Sequence, residues 1–219
     1  SFTETVSYIV FKSGSTIYAK NGATGAIDYS GTDASTVIQS ALNALTSGRT
    51  WKEKVLLKGD FTLTNEVTIP SYTILQIDGK ITVDMTSPFP FDINVVTDVE
   101  IIGGIIDGGS SPSTVTRLIR IRNSQRVLIF GVKCINIPKA AINLIGSTDV
   151  SIINCYFTDF DNDAAIILET SLSQRITISK NIFYSANKNG IGVYWGKNVV
   201  ISDNTFVDVP LVRDAGAIS

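Results

Sequence analysis

From Val99 onward a short apolar strand recurs every 23 to 28 residues. The blocks read DVEIIGGII from Asp98, RVLIFGVKC from Arg126, DVSIINCYF from Asp149, RITISKNIF from Arg175 and NVVISDNTF from Asn198. Their first apolar residues are Val99, Val127, Val150, Ile176 and Val199, at intervals of 28, 23, 26 and 23. A period of this size marks a solenoid, in which each repeat buries its apolar face only by stacking on its neighbours. Strand-like blocks with Gly and Asn corners, and no helical pattern between them, select a β-solenoid. Its interior is filled with side chains, so function must lie on the outside of the stack.

Within 219 residues, 44% hydrophobic, there is enough apolar material for one substantial core. The net charge of −2 argues against a nucleic-acid partner, which selects for clustered basic excess. No apolar run reaches the length of a membrane span. The chain has no histidine, which removes the commonest general base, the Ser-His-Asp triad and ordinary His-based zinc sites. Two cysteines, Cys134 and Cys155, fall in adjacent repeats at different offsets. Buried thiols are the expectation, with a disulfide between neighbouring coils as the alternative.

Residues 1–31 read as an N-terminal hairpin or arm. Tyr8–Phe11 and Thr16–Ala19 flank Lys12-Ser13-Gly14-Ser15. A helix is predicted over 33–47, where Ala34, Val37, Ile38, Ala41, Leu42 and Leu45 form one apolar stripe. Thr32 or Asp33 can cap its start and Gly48 can end it. An amphipathic helix suits the open end of a solenoid, and this one is assigned as a cap on the first coil. Short strands follow at 55–57, 61–63, 67–69, 73–77 and 81–83. Residues 32–219 thus form the solenoid with its cap.

Each later repeat carries a second strand: 118–122, 141–145, 165–169, 190–194 and 216–219. Period-2 alternation turns Ile119/Ile121, Ile142/Leu144, Ile166/Leu168, Ile191/Val193 and Ile218 inward. Gly103, Gly131 and Asn154 share the fifth block position, where a corner of positive φ would favour them. Asn181 and Asn204 share the next position and suit a hydrogen-bonded ladder.

The run DASTVIQSALNAL…KVLLKGDFTLTNEVTIPSYTILQIDGKI, then VEIIGGIIDGG, then the repeated xITISxNxF, resembles the pectate-lyase-like right-handed parallel β-helix superfamily. The resemblance spans about residues 33–219 and implies an all-β, right-handed parallel β-helix. Its members include polysaccharide lyases, polygalacturonase-type hydrolases, uronate epimerases and viral tailspikes. It implies that chemistry sits on the face of one strand stack and the loops leading into it.

On that face the outward residues are Arg120, Arg122, Asn143, Glu169, Gly192 and Tyr194, with Trp195 just after. The loops bring Lys139, Asp161, Asp163, Lys188, Asn189, Arg213 and Asp214. Coils stack at roughly 4.8 Å, so Asp161/Asp163 and Asp214 would stand roughly 9.6 Å apart, close to an inverting carboxylate pair. Alternatively Asp161, Asp163 and Glu169 could hold Ca²⁺ through hard oxygen ligands, with Lys188 or Arg213 as the base of a β-elimination. Arg120, Arg122, Asn143, Glu169, Tyr194 and Trp195 would contact substrate. The same loop residues also read as corner formers and solvated surface, and Arg120 and Arg122 equally as inter-coil ion-pair partners. NDAAIILETSLSQRITISKNIF resembles the polygalacturonase segment in which paired aspartates precede a strand. Asp163 matches the second, but Asn162 replaces the first. The matching Gly-His-Gly position reads Asn189-Gly190-Ile191-Gly192, so the histidine-dependent site is absent.

The expected function is recognition or processing of an acidic polysaccharide, outside the cell or on a cell or virion surface. A tailspike-like or surface-fibre shaft without catalysis is the alternative. Gly216–Ser219 begins a strand where the sequence stops. The expectation is therefore a chain continuing beyond Ser219, or one that self-associates through an uncapped final coil.

Overall fold

The computed structural model describes residues 6–109, 115–160, 163–184 and 188–209. Three strands open the chain, β1 (Tyr8–Ser13), β2 (Thr16–Asn21) and β3 (Ile27–Gly31), followed by helix α1 (Ala34–Asn43). Coils of three short strands then succeed one another. The first holds β4 (Glu53–Lys58), β5 (Phe61–Leu63) and β6 (Val67–Thr68). The second holds β7 (Thr73–Asp78), β8 (Lys80–Val83) and β9 (Phe91–Asn94). The third is β10 (Thr97–Ile102), β11 (Ile105–Asp107) and β12 (Arg117–Arg122). The fourth is β13 (Gln125–Phe130), β14 (Lys133–Ile135) and β15 (Ala140–Ile145). The fifth is β16 (Thr148–Ile153), β17 (Tyr156–Thr158) and β18 (Ile166–Leu168). The sixth is β19 (Ser173–Ser179), β20 (Ile182–Tyr184) and β21 (Ile191–Val193), and β22 (Gly196–Ser202) with β23 (Thr205–Val207) begins another.

Like strands stack into three sheets. Sheet A runs β22-β19-β16-β13-β10-β7-β4-β1-β2-β3, sheet B β23-β20-β17-β14-β11-β8-β5 and sheet C β21-β18-β15-β12-β9-β6. All pairings among the coils are parallel, and the N-terminal hairpin joins sheet A through a parallel β1–β4 pairing. The architecture is a parallel β-solenoid of about six turns. Among the described residues, no helix is long and apolar enough to cross a membrane.

The repeat read from sequence is the register observed. Val99 pairs with Val127, Val127 with Val150, Val150 with Ile176 and Ile176 with Val199. In sheet C, Ile119, Ile142, Ile166 and Ile191 form one row; Ile218 lies outside the described residues. The row is fully buried as far as Ile166 and partly buried at Ile191. The fifth block position has positive φ in every block: Gly103 69°, Gly131 65°, Asn154 56°, Lys180 58° and Asp203 57°. Lys180 adopts it without the local hydrogen bonding that eases Asn and Asp there, so coil geometry overrides residue preference. Cys134 and Cys155 are free, buried thiols. Burial pushes the Cys134 thiol well above its ordinary range and Cys155 up to about 11.

Helix α1 covers the first coil. Ala34, Val37, Ile38, Ala41 and Leu42 are buried against it. Asp33 caps the helix, accepting from the Ser35 amide at 3.1 Å and the Thr36 hydroxyl at 2.6 Å. The expected span of 33–47 is too long. The chain leaves the helix at Ala44, and the Leu45 amide turns back onto the Leu42 carbonyl at 3.4 Å. Leu45 stays buried from that turn, so its place in the apolar stripe survives although its helical state does not. The helix also satisfies backbone at the sheet edge. Gln39 accepts from the Thr68 amide at 2.8 Å and donates to its carbonyl at 3.1 Å, while Ser35 Oγ accepts from Thr64 and Asn65 amides. A row of unpaired strand groups would otherwise invite edge pairing.

Candidate functional site on the outer face of sheet C

Parallel register sets the outward residues of sheet C in line. One row runs Thr68, Asp92, Arg120, Asn143, Ile167 and Gly192. A second begins Asn94, Arg122 and Ile145. Strand β9, which the sequence reading passed over, supplies Asp92 and Asn94 to both.

The arginines are engaged within the protein. Arg120 forks onto Asp92 through Nε at 2.8 Å and Nη2 at 2.7 Å. Its guanidinium carbon lies 3.9 Å from the centroid of the Phe89 ring. The Asp92 hydrogen bonds raise the Arg120 pKa further against the downward pull of burial. Arg122 Nε donates to Asn94 Oδ1 at 3.0 Å.

The central cluster is held by Arg117, a residue the sequence reading did not single out. Its Nη2 donates to Glu169 Oε1 at 2.8 Å and lies 3.5 Å from Asp163 Oδ2. Its Nη1 donates to the Thr116 carbonyl at 2.8 Å. Its Nε is buried and has no hydrogen-bond partner among the described residues. Asn143, itself buried, donates to Glu169 Oε1 at 3.1 Å. Asp163 Oδ1 accepts from the Ala164 amide at 2.9 Å. Asp163, expected as a catalytic residue, and Glu169, expected as a substrate contact or alongside Asp163 as a Ca²⁺ ligand, therefore converge on one guanidinium nitrogen. Two oxygens sharing one nitrogen stand closer than the roughly 6.5–9.5 Å of an inverting pair.

Tyr194 and Trp195 follow β21. Both backbone amides donate to the Leu168 carbonyl, at 2.9 and 3.3 Å, and the two residues are 58% and 55% exposed. Gly192 gives the tyrosine ring room: a Cβ there would lie 3.3 Å from both Tyr194 Cε2 and Ala164 Cβ. Lys188 is exposed. Asp161, Arg213 and Asp214 lie outside the described residues, so the carboxylate spacing built on Asp214 and the Arg213 base have no observed geometry. Among the described residues no group of three or more His, Cys, Asp or Glu could hold a metal ion. At the N-terminal end of the same face, Asn43, Thr68, Pro70, Asp92 and Asn94 line an open depression of about 240 Å³.

A family model described as a right handed beta helix region matches residues 72–212. The chain belongs to the right-handed β-helix family. Solved structures share the fold. One is a protein from Parabacteroides merdae provisionally described as a glycosyl hydrolase, with TM-score 0.67 and 13% identity over 78% of this chain and 90% of that one. Another is a polygalacturonase from Erwinia carotovora, with TM-score 0.60 and 17% identity over 83% and 67%. A third is the tailspike of E. coli bacteriophage HK620 in complex with a pentasaccharide, with TM-score 0.56 and 14% identity over 80% and 43%. The chain spans less than half of that tailspike. No curated protein sequence matches it. Identities this low carry the fold and leave function to be argued from the site.

Proposed function

We propose that this β-helix binds a polysaccharide along the outer face of sheet C, outside the cell or on a cell or virion surface. Asp163 and Glu169 would be the carboxylates on which glycosidic cleavage depends. One observation carries the reading: two carboxylates flanking β18, each 29% exposed, meet on Arg117 beside the end of β21, where Tyr194 and Trp195 are exposed. Carboxylates accept hydrogen bonds from sugar hydroxyls, and amphipathic aromatic rings pack on the apolar faces of sugars. The three carbohydrate-related neighbours support the same reading at the level of the fold.

A binding or adhesion module without catalysis is the second reading, and the Arg117 clamp favours it. Glu169 spends hydrogen-bonding capacity on the guanidinium and Asp163 lies in ion-pair range of it, so neither is free for an incoming bond. Lyase chemistry has less support. Of the two expected bases Arg213 lies outside the described residues, which leaves exposed Lys188.

Affinity electrophoresis, with reducing-sugar and unsaturated-uronate assays on a polysaccharide panel with and without Ca²⁺, separates these readings. Trp195→Ala is expected to weaken binding at least about tenfold, roughly 1.4 kcal/mol. If the protein is a hydrolase, Asp163→Asn abolishes turnover with the melting temperature retained. Binding without product marks the non-catalytic module. No binding to any polysaccharide refutes the carbohydrate reading.

A further inference from the structure

An acidic ligand on sheet C would need cations free to receive it. The structure gives each strand cation an internal partner. Arg120 is forked onto Asp92 and backed by the Phe89 ring. Arg122 donates to Asn94. Arg117 serves Glu169 and Asp163.

Depth decides what a ligand meets. The Arg117 side chain is 11% exposed, whereas Asp163 and Glu169 are each 29% exposed. The guanidinium lies beneath the carboxylates, so the solvent edge of the cluster is anionic. An acidic polymer laid on this face would bring its carboxylates against Asp163 and Glu169, a like-charge juxtaposition that rejects a ligand. Lys139 and Lys188 are exposed single charges in the flanking loops, where salt screens them. What remains accessible suits hydroxyl groups: two carboxylate acceptors and the exposed rings of Tyr194 and Trp195.

We propose that the outer face of sheet C takes a neutral oligosaccharide and excludes polyuronates, with Asp163 and Glu169 as the excluding groups. This rests on the carbohydrate reading above and replaces an acidic substrate class with a neutral one.

The test uses the whole chain on immobilised neutral polysaccharides (galactomannan, arabinoxylan, dextran) and acidic ones (polygalacturonate, alginate, hyaluronate). Each is probed at about 50 and about 500 mM NaCl, where the screening length differs severalfold. The expected result is retention on a neutral polymer, changed less than about twofold by salt, since no ion pair forms. That binding should be lost in Trp195→Ala. Asp163→Asn combined with Glu169→Gln should leave the Arg117 charge unneutralised and confer salt-sensitive retention on polyuronate. Should the double variant melt early, Asp163→Asn alone, which removes the longer contact, is read the same way. Salt-sensitive binding of wild type to a polyuronate overturns this inference and leaves the carbohydrate reading standing. No gain of polyuronate binding in a folded variant overturns the role of the two carboxylates. No binding to either set overturns both.

Discussion

Asn181 is fully buried in the turn between β19 and β20 and makes four hydrogen bonds to three partner groups. Its Oδ1 accepts from the Cys155 amide at 2.8 Å, and its Nδ2 donates to the Ile152 carbonyl at 2.9 Å and to Asn204 Oδ1 at 3.0 Å. Its own amide donates to Asn204 Oδ1 at 2.9 Å. Asn181→Leu keeps the volume and strands a buried amide and a buried carbonyl, each at about 1–3 kcal/mol. The expected loss is about 3 kcal/mol in urea unfolding. A loss below about 1 kcal/mol would mean that water enters and replaces the amide. This ladder was legible because Asn181 and Asn204 hold the same offset from their block starts. Ser124, Ser147 and Ser173 form a second ladder, with the Ser124 amide donating to Ser147 Oγ and the Ser147 amide to Ser173 Oγ, both at 3.2 Å. They stand three residues before Val127, Val150 and Ile176, an equally constant offset just outside the blocks, so the signal was present and unread. Arg117 is different. Its partner Glu169 is 52 residues away and two coils along, a reach that depends on side-chain length rather than repeat position.

At the scale of elements, α1 is set by its apolar stripe and its cap. The Thr36 hydroxyl, together with Thr64 and the Ser35 and Thr36 amides, holds the Asp33 carboxyl below the usual range against the upward push of burial. A depressed folded value means that this contribution is full above the ordinary aspartate range of about 4 and is lost as pH falls through the lowered value. Asp33→Ala is expected to cost about 1 kcal/mol at neutral pH. Wild type and variant should converge in urea unfolding as the solution is made more acid than the ordinary aspartate range. A gap unchanged in acid would show that the carboxylate charge contributes nothing. The stripe was readable because six apolar residues repeat at helical spacing. Its end was not, because Leu45 is buried equally well from a turn. Strand β9 escaped notice for want of pattern. Only Phe91 and Ile93 face inward, beside Pro88 and Pro90, and the outward Asp92 is explained only by Arg120 in the next coil. The alternation Asp98, Arg126, Asp149, Arg175 was also open to view. It became an ion-pair ladder, Arg126 on Asp98 at 2.8 Å and Arg175 on Asp149 at 2.6 Å, on residues sharing positive φ.

Across the whole molecule, stability should run in a gradient along the axis. Each coil pairs only with its neighbours, so local stability is a sum of near-neighbour contacts. At the first coil, α1 and the β1–β3 sheet cover the apolar interior. In β22 and β23 the equivalent inward residues Ile201 and Phe206 are 47% and 42% exposed, whereas Ile152, Ile178 and Phe183 are fully buried. Full burial of such a side chain contributes about 1.5–3 kcal/mol, and these two realise only part of it. The candidate site straddles the gradient. Arg117, Asn143 and Glu169 belong to the third, fourth and fifth coils, while Tyr194 and Trp195 link the sixth to β22. Hydrogen exchange on the 219-residue chain is therefore expected to show amides of β22 and β23 opening at least about 2 kcal/mol more easily than those of β13 and β16. Amides of β4, beneath the helix, should exchange as slowly as the middle coils. A saturating polysaccharide that engages Tyr194 and Trp195 would raise protection at β22 more than at β13, because only the loosely held coil has stability to gain. Uniform protection from β4 to β23 would contradict the gradient and with it the nearest-neighbour account of this fold.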